Sequence, residues 1–281
     1  MVSDLAMDLL MEIGVLSFVL PVGVLLAWRI RTHKSFKPAI AGVLTFLFFG
    51  FLFKRIPDTI FLSMKNPVST VLNANGFLAG LYLGLAAALF EETGRYLVFK
   101  YVLNKDTERF TAITYGIGHG GLEWIMTLGI TDLSYFTFAT IYNDHADKIT
   151  DKSFLELIKT LTVENLILDG FKQIFFFGIQ ICLSVMILEA YRNEAERKRY
   201  FLIALVTHFL AYLPIALYSG NMIGNRLATV FLAAITVFSV LYAKEIYQGI
   251  KKNDEKTNHK EKKKEEEEKK KGFAYAAKKL K

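Results

Sequence analysis

The sequence contains a single cysteine, Cys182, among its 281 residues. A disulfide framework and a thiolate metal cluster both need several cysteines, so both are excluded. Lysine and arginine are absent before Arg29, although a cleavable secretory signal begins with a basic segment. The first apolar stretch instead carries Asp4 and Asp8 and is followed by Arg29 and Arg31. We therefore expect it to be a permanent first helix.

A basic surface interleaved with aromatic residues, which nucleic-acid binding requires, is also lacking. The formal net charge is +7, but the positive residues are concentrated in short loops and in the segment after residue 250. Membrane topology places lysine and arginine in such loops. The charge therefore does not indicate a nucleic-acid partner.

Apolar residues make up 53% of the chain and form runs of about 16 to 23 residues, where a bilayer-spanning helix needs roughly 20. We therefore predict an all-α, polytopic membrane helix bundle with about seven transmembrane helices. The predicted spans are 7–28, 38–53, 77–99, 110–128, 167–188, 201–218 and 227–247. The second span is the shortest, and an extension through Lys54 and Arg55 would lengthen it. The stretch 133–142 is too short to cross and is expected to be interfacial or re-entrant.

The distribution of lysine and arginine predicts the orientation of the chain in the cell membrane. The loops 29–37, 100–109 and 192–199 are rich in these residues, which favours a cytoplasmic location. The N-terminus would then lie outside and the C-terminus in the cytoplasm. Residues 1–250 form the predicted transmembrane domain, and residues 251–281 form a charged tail that cannot bury a core. We expect this tail to be disordered or a solvated helix.

Ionisable residues inside the predicted spans indicate a functional site, because a charge at the bilayer centre costs on the order of 3 kcal/mol. They are Glu91, Glu92 and Arg95 in the third span, His119 and Glu123 in the fourth, and His208 in the sixth. At a rise of about 1.5 Å per residue, Glu91, His119 and His208 lie roughly 12, 14 and 11 Å from the cytoplasmic ends of their spans. The common depth predicts that the three side chains meet.

The spacing of these residues suggests hydrolytic chemistry. His119 and Glu123 are four residues apart and share a helix face, and the same spacing makes an ion pair available between Glu91 and Arg95. Imidazole and carboxylate are ligands of catalytic zinc, which lowers the pKa of water to about 7, and a second carboxylate then serves as general base. Without metal, a buried glutamate would activate water while histidines hold the oxyanion. Four glycines at positions 116–121 let neighbouring helices approach closely and leave room for water or an extended peptide.

This arrangement of paired glutamates, a nearby basic residue, a helix bearing His and Glu, and a later helix bearing His resembles the YhfC-type proteins. These are related to the CPBP (CAAX protease and bacteriocin-processing) and PrsW-like intramembrane proteases. The resemblance covers roughly residues 77–218. Two features depart from the CAAX-protease pattern: two residues rather than three separate Glu92 from Arg95, and Tyr212 stands four after His208, where Asn or Asp is common. A divergent branch is therefore expected.

The resemblance implies a membrane-embedded protease that depends on a metal, expected to be Zn²⁺. One of the paired glutamates, Glu91 or Glu92, would activate water. The histidines would bind the metal or stabilise the oxyanion, with His119, Glu123 and His208 as the expected ligands. Arg95 would be an electrostatic partner. The expected substrate is a membrane-embedded or membrane-associated peptide or protein within the lipid bilayer.

Two other functions fit the same residues. Chains of glutamate and histidine also serve as proton relays in transporters, although the sequence lacks the repeats and paired Gly/Pro-broken helices of inverted-repeat carriers. A non-catalytic membrane protein that confers self-protection against a secreted peptide is the second alternative.

Overall fold

The computed structural model describes residues 1–145 and 152–279, with side chains described for 1–145 and 154–255. These residues form helices and connecting loops, without a strand. The α-helices are α1 (Asp4–Thr32), α2 (Lys37–Thr45), α3 (Lys54–Asp58), α4 (Pro67–Ala74), α5 (Gly76–Tyr101), α6 (Arg109–Trp124), α7 (Ile130–His145), α8 (Lys152–Thr160), α9 (Val163–Arg192), α10 (Arg197–Ser219) and α11 (Asn225–Lys279). Three π-helical segments, Phe46–Phe53, Thr59–Ser63 and Ile125–Gly129, continue neighbouring α-helices.

Six helical runs among the described residues are long and apolar enough to cross a membrane. They are Asp4–Thr32, Lys37–Ser63, Gly76–Tyr101, Val163–Arg192, Arg197–Ser219 and Asn225–Glu255. They coincide with six of the seven predicted spans, and the second run extends past Arg55, as the extension through that residue required. The polytopic, all-α bundle is thereby confirmed. Its orientation across the membrane remains a prediction.

The predicted fourth span, 110–128, is helical as α6 and the π-helical segment after it, but it is less apolar than the other six. The reason is its position: α6 packs against α1, α2 and α9, and twelve of its sixteen residues are buried. Protein rather than lipid surrounds most of α6, so its side chains need not be uniformly apolar. This allows the helix to carry ionisable residues at membrane depth.

Glycines hold α6 between its two neighbours. A Cβ atom at Gly118 would overlap the backbone of Ala39 in α2, and one at Gly116 would lie 2.7 Å from the Cα atom of Ile181 in α9. A Cβ atom at Gly120 would lie 2.8 Å from Cβ of Gln180. Close helix approach, which the sequence predicted, is therefore the use of these three glycines, and little room is left beside them.

An apolar cluster closes the end of the bundle at which α5 ends and α6 begins. Phe99, Leu103, Tyr115, Leu183 and Met186 are fully buried within it. α5 packs along α10 and α9, so the polar residues in the middle of α5 face the interior. These polar residues of α5 lie next to the apolar cluster, on the side towards the middle of the bundle.

At the opposite end, α7 continues the line of α6 and packs along α1. The stretch 133–142, expected to be interfacial or re-entrant, lies within α7. The backbone N–H of Val2 donates to Oδ1 of Asn143 at 2.8 Å, and the Asn143 amide donates to the Val2 carbonyl at 2.9 Å. The start of the chain is thereby attached to the end of α7. The predicted tail, 251–281, begins inside α11, and its side chains beyond residue 255 lie outside the described residues.

We predict that Gly118→Ala destabilises the protein by about 1–3 kcal/mol, because the added methyl group would overlap the α2 backbone. Thermal unfolding of the detergent-solubilised protein measures the change. Gly23→Ala is the matched control, since nothing lies within 4 Å of a Cβ atom at that position in α1. An equal effect of the two substitutions would contradict the close approach of α6 and α2.

Candidate metal centre

The structure brings all six predicted site residues together in the interior of the bundle. α5 supplies Glu91, Glu92 and Arg95, α6 supplies His119 and Glu123, and α10 supplies His208. Their side chains are between 0 and 4% exposed. The equal depths inferred from three separate spans therefore correspond to a real cluster.

Glu91 lies at the centre of this cluster. Its Oε2 atom is 3.0 Å from Nε2 of His119 and 3.9 Å from Nε2 of His208. The same oxygen accepts a hydrogen bond of 3.3 Å from Nε2 of Gln180 in α9. One carboxylate oxygen thus connects side chains from α6, α9 and α10.

Glu92 has a different environment, because adjacent residues on a helix point about 100° apart. Its Oε1 atom is 2.7 Å from Nδ1 of His208, and its Oε2 atom is 3.4 Å from Nε of Arg95. An ionised carboxylate only accepts hydrogen bonds, so His208 carries its hydrogen on Nδ1 when it pairs with ionised Glu92. This leaves a lone pair on Nε2, the atom directed towards Glu91.

Arg95 is fully buried, and α9 satisfies most of its donors. Nη1 donates to the Gln180 carbonyl at 2.7 Å and to Oγ of Ser184 at 2.8 Å, and Nη2 donates to Oε1 of Gln180 at 2.5 Å. The sequence spacing offered an ion pair between Arg95 and Glu91, but the structure pairs Arg95 with Glu92. The helical turn directs the guanidinium towards the residue three positions before it.

Gln180 and Ser184 contribute to the site but are not among the six residues predicted from the sequence. The available signal was their spacing, because the two polar residues are four positions apart in the otherwise apolar run of α9. Such a pair shares one helix face. Nothing in the sequence showed that this face meets Arg95.

The residues fit a divalent metal ion. Glu91, His119 and Glu123 each offer one ligand atom, and these atoms lie within 4.8 Å of one another. His208 lies outside this trio, although its Nε2 atom is close to the same Glu91 oxygen. Nδ1 of His119, Oε2 of Glu123 and Nε2 of His208 are buried without a hydrogen-bond partner among the described residues. Leaving such atoms unsatisfied costs roughly 1–3 kcal/mol each.

The net charge of the cluster also favours a bound metal ion. Three buried carboxyl groups, those of Glu91, Glu92 and Glu123, face one buried guanidinium, that of Arg95. With neutral imidazoles and ionised carboxylates the cluster carries two excess negative charges, and uncompensated buried charge is strongly unfavourable. A dication such as Zn²⁺ would neutralise both, and its ligand preferences match imidazole and carboxylate.

A π-helical segment covers the site on one side. The ring of Phe46 meets the His119 ring edge-on, with centroids 5.5 Å apart. Gly50 lies against Glu91, since a Cβ atom there would be 3.4 Å from the carboxyl carbon. Both belong to the segment Phe46–Phe53, and π-helical turns occur frequently at functional sites.

Fold and site together define a polytopic membrane protein with a buried, negatively charged glutamate–histidine cluster suited to a metal ion. The family described as YhfC intramembrane metalloprotease matches residues 16–237. The chain therefore belongs to the YhfC family. It is also 28% identical over 262 residues to a Bacillus subtilis (strain 168) protein described as "Uncharacterized membrane protein YhfC", with 88% of this chain and 100% of that protein covered. No solved structure matches the chain.

We predict that Arg95→Ala destabilises the protein by about 3–5 kcal/mol, because it leaves the buried Glu92 carboxylate without its cationic partner. Thermal unfolding in detergent provides the measurement. Arg226→Ala is the control: it removes an ion pair with Glu164 whose side chains are 79% and 50% exposed, and solvent-exposed pairs of this kind contribute little to stability. Similar losses in both variants would argue against a structural role for Arg95.

Proposed function

We propose that this protein is an intramembrane metalloprotease that hydrolyses a peptide bond of a membrane-embedded or membrane-associated substrate. The observation that carries the proposal is the buried site itself: two imidazoles beside three carboxyl groups, with one guanidinium to balance them. The YhfC family description supports the same reaction class. The resemblance to CPBP and PrsW-like proteases supports it as well.

In this proposal, His119, Glu123 and His208 would hold the metal ion, with Zn²⁺ as the expected ion. The ion supplies Lewis acidity and lowers the pKa of water to about 7. Glu123 contributes the oxygen that lacks a partner, and His208 contributes its free Nε2 atom. His119 turns its Nε2 atom towards Glu91, so the expected ligands and the expected base share one small volume.

Glu91 is the better candidate for the general base. Its Oε2 atom faces both histidines, whereas both oxygens of Glu92 are directed to Arg95 and His208. Glu91 would take a proton from the attacking water and return it to the nitrogen of the leaving amine, so the proton count balances. Burial in a medium of low dielectric constant strengthens these interactions.

Glu92 acts through His208 rather than on the substrate. By accepting the Nδ1 hydrogen, it holds the imidazole in the tautomer whose Nε2 atom can bind a metal. Carboxylates behind histidine ligands commonly have this function, and their loss costs about 10–100-fold in metal affinity or activity. Arg95 holds Glu92 in place from the other side.

We predict that the purified wild-type protein contains close to one zinc ion per chain, and that His119→Ala and His208→Ala lose it. Elemental analysis of monodisperse protein in detergent measures the zinc content.

Glu91→Gln should keep the zinc and lose cleavage of a membrane peptide, because the amide cannot accept the proton of water. Full activity of Glu91→Gln would overturn the proposed mechanism. Loss of zinc in Glu91→Gln but not in His208→Ala would instead make Glu91 a ligand.

We predict a contrast between two substitutions of Glu92. Glu92→Ala should weaken zinc binding by about 10–100-fold, whereas Glu92→Gln should largely preserve it, because the Gln carbonyl still accepts the Nδ1 hydrogen of His208. Zinc titration with a competing chelator measures both affinities. If Glu92→Gln kept its zinc but lost all cleavage while Glu91→Gln stayed active, the roles of the two glutamates would be exchanged.

A further inference from the structure

Hydrolysis requires water, but the described residues nearly enclose the site. The proposed function therefore requires a route by which water reaches the site. At the end where α5 ends, the fully buried cluster around Phe99, Leu103 and Met186 separates the site from the surface. On the side of the π-helical segment, Phe46 lies against His119. In both directions large apolar or aromatic side chains stand between the site and the surface.

The third direction lies between α9 and the helix that carries Glu123. α6 touches α9 closely at Gly116 and Gly120. Beyond Trp124, however, the segment Ile125–Gly129 and α7 pack mainly on α1 and contact α9 only slightly. Contact between the two helices therefore decreases beyond Glu123.

Polar side chains lie in this region. Thr127 is exposed and Gln173 of α9 is half-buried, and Oγ1 of Thr127 lies 3.2 Å from Oε1 of Gln173. The Thr127 hydroxyl also donates to the Glu123 carbonyl at 2.7 Å. Side chains that face lipid are normally apolar, and polar ones at membrane depth usually border a cavity or a water path.

The π-helical segment extends this polar line towards the surface. In an α-helix, residues four apart lie above one another, whereas a π-helical turn bonds residue i to i+5. The π-helical turn in Ile125–Gly129 therefore brings the direction of Asp132, five residues after Thr127, closer to that of Thr127. An uninterrupted α-helix would rotate Asp132 away by about 140°.

Unpartnered oxygens mark both ends of the line. Oε2 of Glu123 and Oδ2 of Asp132 are each buried without a hydrogen-bond partner among the described side chains, and the two residues are 4% and 3% exposed. Asp132 lies beyond the predicted fourth span. Burial and the negative charge of Asp169 raise its pKa to about 7. Buried polar atoms of this kind are usually satisfied by ordered water.

We propose that the polar line Asp132–Thr127–Gln173–Glu123 is a hydrated path that delivers water to the buried glutamate–histidine site from the end of the bundle at which α7 and α9 begin. Thr127 and Gln173 are the point at which side chains from both helices meet along this line. The path supplies the hydrolytic water if the protein is a protease. Its existence as a hydrated channel can be tested without any substrate.

The test uses the chain's single cysteine. In a Cys182→Ala background, Thr127→Cys and Gln173→Cys are compared with Ile174→Cys, all in lipid nanodiscs, where both membrane faces are open to reagent. Ile174 adjoins Gln173 and is an apolar side chain that is 47% exposed, so it reports the lipid-facing surface at the same depth. The probe is a charged, membrane-impermeant methanethiosulfonate, which reacts with thiolates and therefore requires water at the thiol.

We expect the cysteines at positions 127 and 173 to react at least about tenfold faster than the one at 174, because only hydrated thiols ionise readily. All three should react equally in denaturing detergent, which controls for intrinsic reactivity. Reaction at 127 and 173 as slow as at 174 would overturn the path. Labelling needs neither zinc nor substrate, so rapid labelling in a protein that cleaves nothing would uphold the path while the protease proposal failed.

Discussion

The buried guanidinium of Arg95 is the interaction on which the rest of the site depends. It joins α5 to α9 through the Gln180 carbonyl and the side chains of Gln180 and Ser184, and it pairs with Glu92 within its own helix. A buried cation needs a counter-charge and hydrogen-bond acceptors in place of water, and Arg95 finds them in Glu92 and α9. The fixed position of Arg95 therefore fixes Glu92, and through Glu92 the orientation of His208.

That chain of contacts makes two adjacent glutamates chemically unequal. Glu92 is held by a cation and an imidazole N–H, whereas Glu91 faces Nε2 of His119 and an amide of Gln180. The helical turn of about 100° between neighbours is sufficient to produce the difference. In the proposed mechanism it separates the carboxylate that moves a proton from the one that orients a ligand.

Burial of α6 makes the site possible in a bilayer. Glycines on two faces of α6 bring α2 and α9 into contact with its backbone. His119 and Glu123 are therefore surrounded by protein and are not exposed to lipid. The same close contact ends after Trp124, where the π-helical turn directs the chain onto α1. α6 is thereby tightly packed between α2 and α9, whereas the π-helical segment after it contacts α9 less closely.

The membrane bundle and the meeting of six ionisable side chains were predictable from the sequence alone, whereas the parts of Gln180 and Ser184 were not. Apolar runs of bilayer length must form helices. Ionisable residues such as Glu91, His119 and His208 are costly inside such helices, so their presence indicates a functional site. Which side chains pair was decided by tertiary structure. Arg95 pairs with Glu92 and with the polar face of α9 because of the way the helices are rotated and packed against one another. Helix rotation and the close approach at the glycines cannot be derived from residue spacing along one helix.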